Sequence, residues 1–283
     1  SHAPGDLYVV GPGTVARRGA TWRFDLPAAR DCTLSLSDQF HRLAAEGPDG
    51  IQVELYTLDD AQPPEDAPYD APAHALDTAV TALGLYADLY GPYPYERLVI
   101  VESDFPDGME FSGLVFVGGE WFRSFQGDPA SYLTLITAHE VSHQWWYGLV
   151  ANDQSAAPWL DEALATYSEY VFLEENYPQL MDWWWEFRVN AYSPAGAVDA
   201  TVYEFDSVRA YINAVYLRGA RLMHALRQDI GGEVFFQWLH DYVAAMRGQV
   251  ATPDDLWAAL PPEALEATQN TRTAYLRDPH IAR

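Results

Sequence analysis

The sequence predicts an α+β protein in which a β-rich piece precedes a larger, mostly helical body. Three features predict it. Residues 1–60 contain short runs of alternating or β-branched residues separated by Gly, Pro and Asp. Residues 61–72 (AQPPEDAPYDAP) are dominated by Pro, Asp and Ala and read as a linker. Beyond them, apolar residues recur at helical spacing over long stretches. The expected division is residues 1–70 as the β-rich N-terminal piece with its linker, and residues 71–283 as a second domain.

Within the first piece, strands are expected at 7–10, 21–26, 32–36 and 51–56. Residues 73–89 have apolar positions at helical spacing, and Gly91-Pro92 stops that helix. Residues 98–101 and 111–117 have the length and apolar content of strands. From Pro129 onward the chain reads as helical, with helices expected at 131–147, 160–176, 214–229 (stopped by Gly231-Gly232), 233–246 and 253–260. The run Trp183-Trp184-Trp185 is expected to serve as core or pocket wall, because aromatic side chains usually carry packing. No internal repeat is visible.

The chain has 283 residues, 49% of them hydrophobic, which is enough to bury a sizeable core. No uncharged apolar stretch of about 18 residues occurs, so no helical membrane span is expected. The net charge of −25 repels phosphate backbones, and nucleic acid is not an expected partner. Its main consequence is a solvated surface, with a mild attraction for cations such as the protonated amino terminus of a peptide. The single cysteine, Cys32, cannot form an internal disulfide and says nothing about redox compartment. The chain opens Ser1-His2-Ala3-Pro4 without an initiator Met or a visible signal peptide. That slightly favours the cytoplasm and leaves a secreted or periplasmic location open if a leader was removed. Nothing in the sequence speaks to oligomeric state.

His139-Glu140-Val141-Ser142-His143 is an H-E-x-x-H motif within an expected helix. Residues i and i+4 share a helix face, so both imidazoles can reach one ion. Neutral imidazole suits zinc, and three protein ligands with one open position make a catalytic rather than a structural site. Glu140 follows the first histidine, turned roughly 100° around the helix axis, so it can face water at the metal without binding the ion. That placement suits a general base. The third ligand expected is Glu162. Eighteen residues (144–161) separate it from His143, and it falls near the start of the next helix in Trp159-Leu160-Asp161-Glu162-Ala163-Leu164-Ala165. Helices joined by a short connection pack side by side, which lets Glu162 complete a His-His-Glu set. Glu169 lies seven residues further on nearly the same face and is placed to accept the second N–H of a metal-bound imidazole, with Asp161 as a rival for that part.

With these residues the chain resembles the aminopeptidase N and leukotriene A-4 hydrolase group of zinc metallopeptidases, the gluzincins. That family reads H-E-x-x-H, eighteen residues, then Glu within W-L-N-E-G-F-A; this chain reads W-L-D-E-A-L-A, with Asp161 for Asn and Ala163 for Gly. Ser142 stands where Ala is common. Upstream, Asp107-Gly108-Met109-Glu110-Phe111-Ser112-Gly113 resembles the family's G-x-M-E-N segment, with Phe111 in place of Asn. The resemblance implies that Gly108, Met109 and Glu110 bind substrate. Glu110 would pair with the free α-amino group, and the neighbouring backbone would align the peptide as an added strand. Downstream, Tyr216-Leu217-Arg218-Gly219-Ala220 resembles Y-x-K-G-A, which implies that the Tyr216 hydroxyl stabilises the oxyanion.

The resemblance covers residues 75–250. It implies a thermolysin-like catalytic domain with a small mixed sheet, one zinc ion per chain, and peptides with a free amino terminus as substrates. Residues 1–60 resemble only the last part of the family's N-terminal β-domain, and its large C-terminal helical domain is expected to be absent or cut short. The expected activity is hydrolysis of the first peptide bond. Two rivals stand beside it. A zinc endopeptidase would leave the ammonium site empty or blocked, and amino-acid anilides against N-acetylated peptides separate the two. A catalytically silent binding module would be expected to have lost Glu140 or a ligand, and none is lost here.

Overall fold

A computed structural model describes residues 7–62 and 67–278, so residues 63–66 of the expected linker and the opening Ser1-His2-Ala3-Pro4 lie outside the described residues. The chain separates into two compact units, residues 1–85 with 93–144, and residues 86–92 with 145–283.

The first unit begins with β1 (Tyr8–Val10), β2 (Thr14–Arg18), β3 (Thr21–Asp25) and β4 (Ser35–Ser37). Strands β1 and β4 pair antiparallel, as do β2 and β3. A five-stranded sheet follows, built from β5 (His41–Glu46), β6 (Gln52–Thr57), β7 (Arg97–Ser103), β8 (Gly108–Phe111) and β9 (Leu114–Gly118) in the order β5-β6-β7-β9-β8. The inner pairs β6–β7 and β7–β9 are parallel and the outer pairs antiparallel. Helix α1 (Ala71–Tyr90) lies between β6 and β7 in sequence, as a parallel connection requires. The apolar run of β7 is buried along nearly its whole length, as expected of a central strand covered on both faces. Val99, Val101 and Leu114 join Val10, Phe40 and Tyr56 in a core that spans the sheet and the N-terminal strands. Helices α2 (Gly119–Ser124) and α3 (Tyr132–Ser142) complete the unit.

Several expectations need correction. The strand expected at 32–36 forms only at Ser35–Ser37. Strands β2 and β5 were not expected; their residues are almost all exposed, so neither shows alternation, and their pairing partners create them. The single strand expected at 111–117 is the hairpin β8–β9, folded at Ser112-Gly113, where Gly113 sits at φ +71. Apolar residues on both arms concealed a turn that needs the left-handed backbone glycine adopts freely. The helix expected at 131–147 stops at Ser142, and Tyr147 lies at φ +138.

The second unit opens with β10 (Val150–Asn152) and continues with α4 (Trp159–Asn176), α5 (Met181–Trp183), α6 (Val208–Tyr211), α7 (Arg218–Ile230), α8 (Gly232–Met246), β11 (Gln249–Ala251), α9 (Pro253–Ala258), α10 (Pro262–Ala267) and α11 (Gln269–Tyr275). Strands β10 and β11 pair in parallel. The helix expected at 214–229 is longer and irregular: α6 runs through a π-helical segment, Ile212–Leu217, into α7, and Gly231 at φ +81 ends it. A second π segment covers Trp184–Val189. Trp184 is fully buried while Trp183 and Trp185 are half-buried, so the run packs into the core at Trp184. No helix among the described residues is long and apolar enough to cross a membrane.

Glu102 in β7 is nearly inaccessible. Its carboxylate accepts the Leu58 N–H at 2.6 Å and lies 3.8 Å from the Arg123 guanidinium, which itself pairs with Asp60 at 2.7 Å. Burial pushes its pKa up, the Leu58 N–H and Arg123 oppose this and Asp60 adds to it, and the group titrates at about 7. A carboxyl raised in the folded state contributes stability that is fully present below the ordinary carboxylate range and lost as pH rises through about 7. Glu102→Gln keeps an acceptor for Leu58 and cannot ionise. It is expected to exceed the parent in stability by on the order of 2 kcal/mol at pH 8 and to match it near about pH 4, as read from urea unfolding. An equal difference at both pH values would contradict the account.

Candidate metal centre

Helix α3 starts where Ser131, as N-cap, accepts the Thr134 N–H. It ends at Ser142, whose hydroxyl donates to the His139 carbonyl at 2.7 Å. Between them the i, i+4 spacing does what helix geometry dictates. The Nε2 atoms of His139 and His143 are 3.1 Å apart, and both residues are buried. Two nitrogens each about 2.0–2.1 Å from one tetrahedral zinc would be separated by about 3.3 Å, so the pair fits a shared ion.

Strand β8 runs past this helix. A Cβ on Gly108 would overlap the Glu140 carboxylate, with Cγ of Glu140 only 2.7 Å away, so only glycine lets the strand approach so closely. Strand alternation then turns Glu110 to the same face as Gly108, and Met109 between them points the other way, 42% exposed. Glu110 and Glu140 are both buried, and ligand atoms of Glu110, Glu140 and His143 lie within 4.8 Å of one another. Two carboxylates held this close repel unless a cation lies between or beside them. Since β8 is the last strand in the sheet order, its outer backbone edge has no strand partner in the sheet.

In the second unit Glu162 occupies the first turn of α4, where the helix dipole favours an acid. Its N–H donates to Asp161 Oδ1 at 2.8 Å, and Asp161 Oδ2 accepts from Gln154 at 3.0 Å. Thr166 donates to the Glu162 carbonyl at 2.7 Å. Helix α7 crosses α4 at the neighbouring residue: a Cβ on Gly219 would lie 2.5 Å from that of Ala163. Ala163 and Gly219 are therefore the small residues that bring the two helices together. Tyr216 lies one turn before Gly219, in the π segment, half-buried and edge-on to Tyr211 at 5.5 Å.

Glu169 is fully buried, and its carboxylate accepts two bonds from Arg188, both at 2.8 Å, and one from Trp184 Nε1 at 3.1 Å. Helical spacing singled out Glu169 but not Arg188, which lies nineteen residues on in a π segment that no periodicity announces.

His139 and His143 thus offer two imidazole nitrogens to one ion, and Glu162 is the carboxylate expected to join them. Two imidazoles and a carboxylate are a donor set that suits zinc.

The chain belongs to peptidase family M1: residues 74–273 match the Peptidase family M1 domain. This is the aminopeptidase N group of gluzincins that the motifs resemble. Aminopeptidase M1-D of Oryza sativa subsp. japonica is 27% identical over 220 residues, which cover 72% of this chain and 25% of that protein. Endoplasmic reticulum aminopeptidase 2 of Homo sapiens is 25% identical over 248 residues, covering 81% of this chain and 25% of that protein. The crystal structure of an M1 zinc metallopeptidase from Deinococcus radiodurans shares the fold, with a TM-score of 0.67 at 22% identity over 96% of this chain and 62% of that one. A mutant of the Deinococcus enzyme bound to Tyr-Ser-Ala matches with a TM-score of 0.69 at 21% identity, over 96% of this chain and 62% of that one. The chain spans about a quarter of the length of these curated relatives and about three fifths of the solved structures. The α+β class with its small mixed sheet and β-rich N-terminal part is thus the fold of this family.

The glycine contact yields a direct test. Gly108→Ala is expected to fold normally, because the atoms it meets belong to the far end of a flexible side chain. It should displace the Glu140 carboxylate by roughly 1 Å or more, since two carbon atoms are comfortable only at about 3.5–4.0 Å. A crystal structure of the variant with Glu140 unmoved would refute this packing.

Proposed function

We propose that the protein is a zinc-dependent aminopeptidase that hydrolyses the N-terminal peptide bond of peptides. In this reading residues 71–283 form the catalytic domain and the β-rich residues 1–70 precede it. The observation that carries the reading is the position of Glu110: a second buried carboxylate beside Glu140 and His143, on the edge strand of the sheet. A carboxylate there is what a substrate ammonium needs in a partly desolvated site.

His139, His143 and Glu162 hold the ion. When bound, zinc supplies Lewis acidity toward the scissile carbonyl and toward water. Glu140 takes a proton from that water at its carboxylate and delivers it to the departing amine. Tyr216 donates its phenolic hydrogen to the oxygen that becomes negative. Glu110 pairs with the ammonium and so measures the distance from the chain end to the bond that breaks. The backbone of Gly108 and Met109 offers the free edge of β8 to the substrate as a strand partner. The acidic surface suits cationic peptide termini and disfavours nucleic acid.

Removal of metal by a chelator should abolish hydrolysis and added zinc should restore it; full activity in metal-free protein would end the reading. Glu140→Gln should keep zinc and lower kcat at least about 10²-fold, whereas Glu162→Ala should lose zinc affinity. Equal metal loss in both would reverse the division between base and ligand.

The exopeptidase assignment has its own test. Wild type should strongly prefer a peptide with a free amine over its N-acetylated form, and Glu110→Ala should lose most of that preference, chiefly through KM. Equal cleavage of both forms by the wild type would favour an endopeptidase.

A further inference from the structure

Gln144 follows His143 directly and is buried. Its side-chain amide spends both ends on the β8–β9 turn. Oε1 accepts the Gly113 N–H at 2.8 Å, and Nε2 donates to the Phe111 carbonyl at 3.0 Å. Phe111 is the residue after Glu110, and Gly113 is the left-handed residue that folds the hairpin. The turn is tethered on its other side as well. The Ser112 N–H donates to Asp31 at 2.9 Å, the Arg30 N–H donates to the Ser112 hydroxyl at 3.1 Å, and the Gly113 carbonyl accepts from Val99 at 3.1 Å.

An edge strand has a neighbour on one side only, so its position depends on what holds its ends. Glutamine is suited to this turn because it carries a donor and an acceptor on one rigid group, matching one carbonyl and one N–H. Since the amide leaves the chain one residue after His143, it ties the strand bearing Glu110 to the segment bearing the paired histidines.

We propose that Gln144 is a positioning residue for amine recognition: it clamps the β8–β9 turn and thereby sets the distance between Glu110 and His143. The consequence for substrate rests on the aminopeptidase reading, while the clamp itself rests on geometry alone. Removing the amide leaves the buried Gly113 N–H and the half-buried Phe111 carbonyl without this partner, so the hairpin should open more often. Glu110 would then spend less time where the ammonium binds, without any change in the metal ligands.

The test uses the zinc-loaded protein with Gln144→Met, which keeps side-chain length and loses both hydrogen bonds, and three readings. Amide hydrogen exchange across residues 108–117 should quicken by about 10-fold or more, with exchange in α3 changed less than about 2-fold. KM for a free-amine tripeptide should rise about 10-fold, by more than kcat falls. Zinc content should stay at one ion per chain. Unchanged exchange in the hairpin overturns the clamp. Faster exchange with unchanged KM overturns its role in recognition. A wild type with no preference for the free amine sinks the aminopeptidase reading and with it the recognition role, while the exchange measurement still decides the clamp. Should Gln144→Met fail to fold, Gln144→Glu is read in the same way. It keeps the acceptor for Gly113 and sets a carboxylate oxygen against the Phe111 carbonyl, so its exchange and KM should shift in the same directions, and no shift in either overturns the proposal.

Discussion

In the first unit a strand lies hard against a helix, with the Glu140 carboxylate against the backbone at Gly108 and no room for a methyl group between them. Much of the site follows from that contact. It limits where the Glu140 side chain can go. It sets the facing of β8, so that Glu110 two residues later turns toward the same helix while Met109 turns away. β8 is also the last strand of the sheet, so its outer backbone edge has no strand partner there. Taking carboxylates out of water costs several kcal/mol each unless a cation compensates.

The second unit meets a similar constraint by different means. Ala163 and Gly219 let α4 and α7 approach until their backbones nearly touch, which holds Tyr216 one turn from the residue after Glu162. The two π segments shift the helical register where it matters. One carries Tyr216, and the other carries Arg188 to the buried Glu169. A π turn forgoes regular hydrogen bonding and persists where packing rewards the altered register. Arg188 grips Glu169 through both carboxylate oxygens, with Trp184 as a third donor, so a buried charge on α4 is fully paired. Breaking such a pair from one side typically costs about 3–5 kcal/mol, because it strands the remaining charge.

Charge is distributed in the same spirit. In the sheet, Glu54 meets both Arg97 at 2.6 Å and Arg42 at 2.8 Å. Burial alone would raise its pKa, but the two guanidiniums outweigh that and hold it at about 2. Glu102, one strand away with a weaker cation, titrates at about 7. Two glutamates on adjacent strands thus differ by which cation each can reach. In a chain of net charge −25, Arg42, Arg97, Arg188 and Arg227 are each paired with a buried or partly buried glutamate.

What the sequence by itself determined is whatever a single helical turn or a short window can encode. The spacing of His139 and His143, the offset of Glu140, the place of Glu162 at the start of a helix, α1 with its Gly91 stop, and the apolar strand β7 all depend on residues a few positions apart, and all are where periodicity puts them. Only the tertiary structure decided the rest. Strands β2 and β5 have no pattern of their own and exist because β3 and β6 pair with them. The stretch 111–117 reads as one strand, yet it folds back at Gly113, where Gln144, thirty-one residues away, holds the turn. Helix α3 ends at Ser142, before its pattern does, and the π segments and the Arg188–Glu169 pair leave no periodic trace. The physical reason is common to all of them: strand register, hairpin closure and helix offset take their energy from partners distant in sequence, and no local window contains both sides of those contacts.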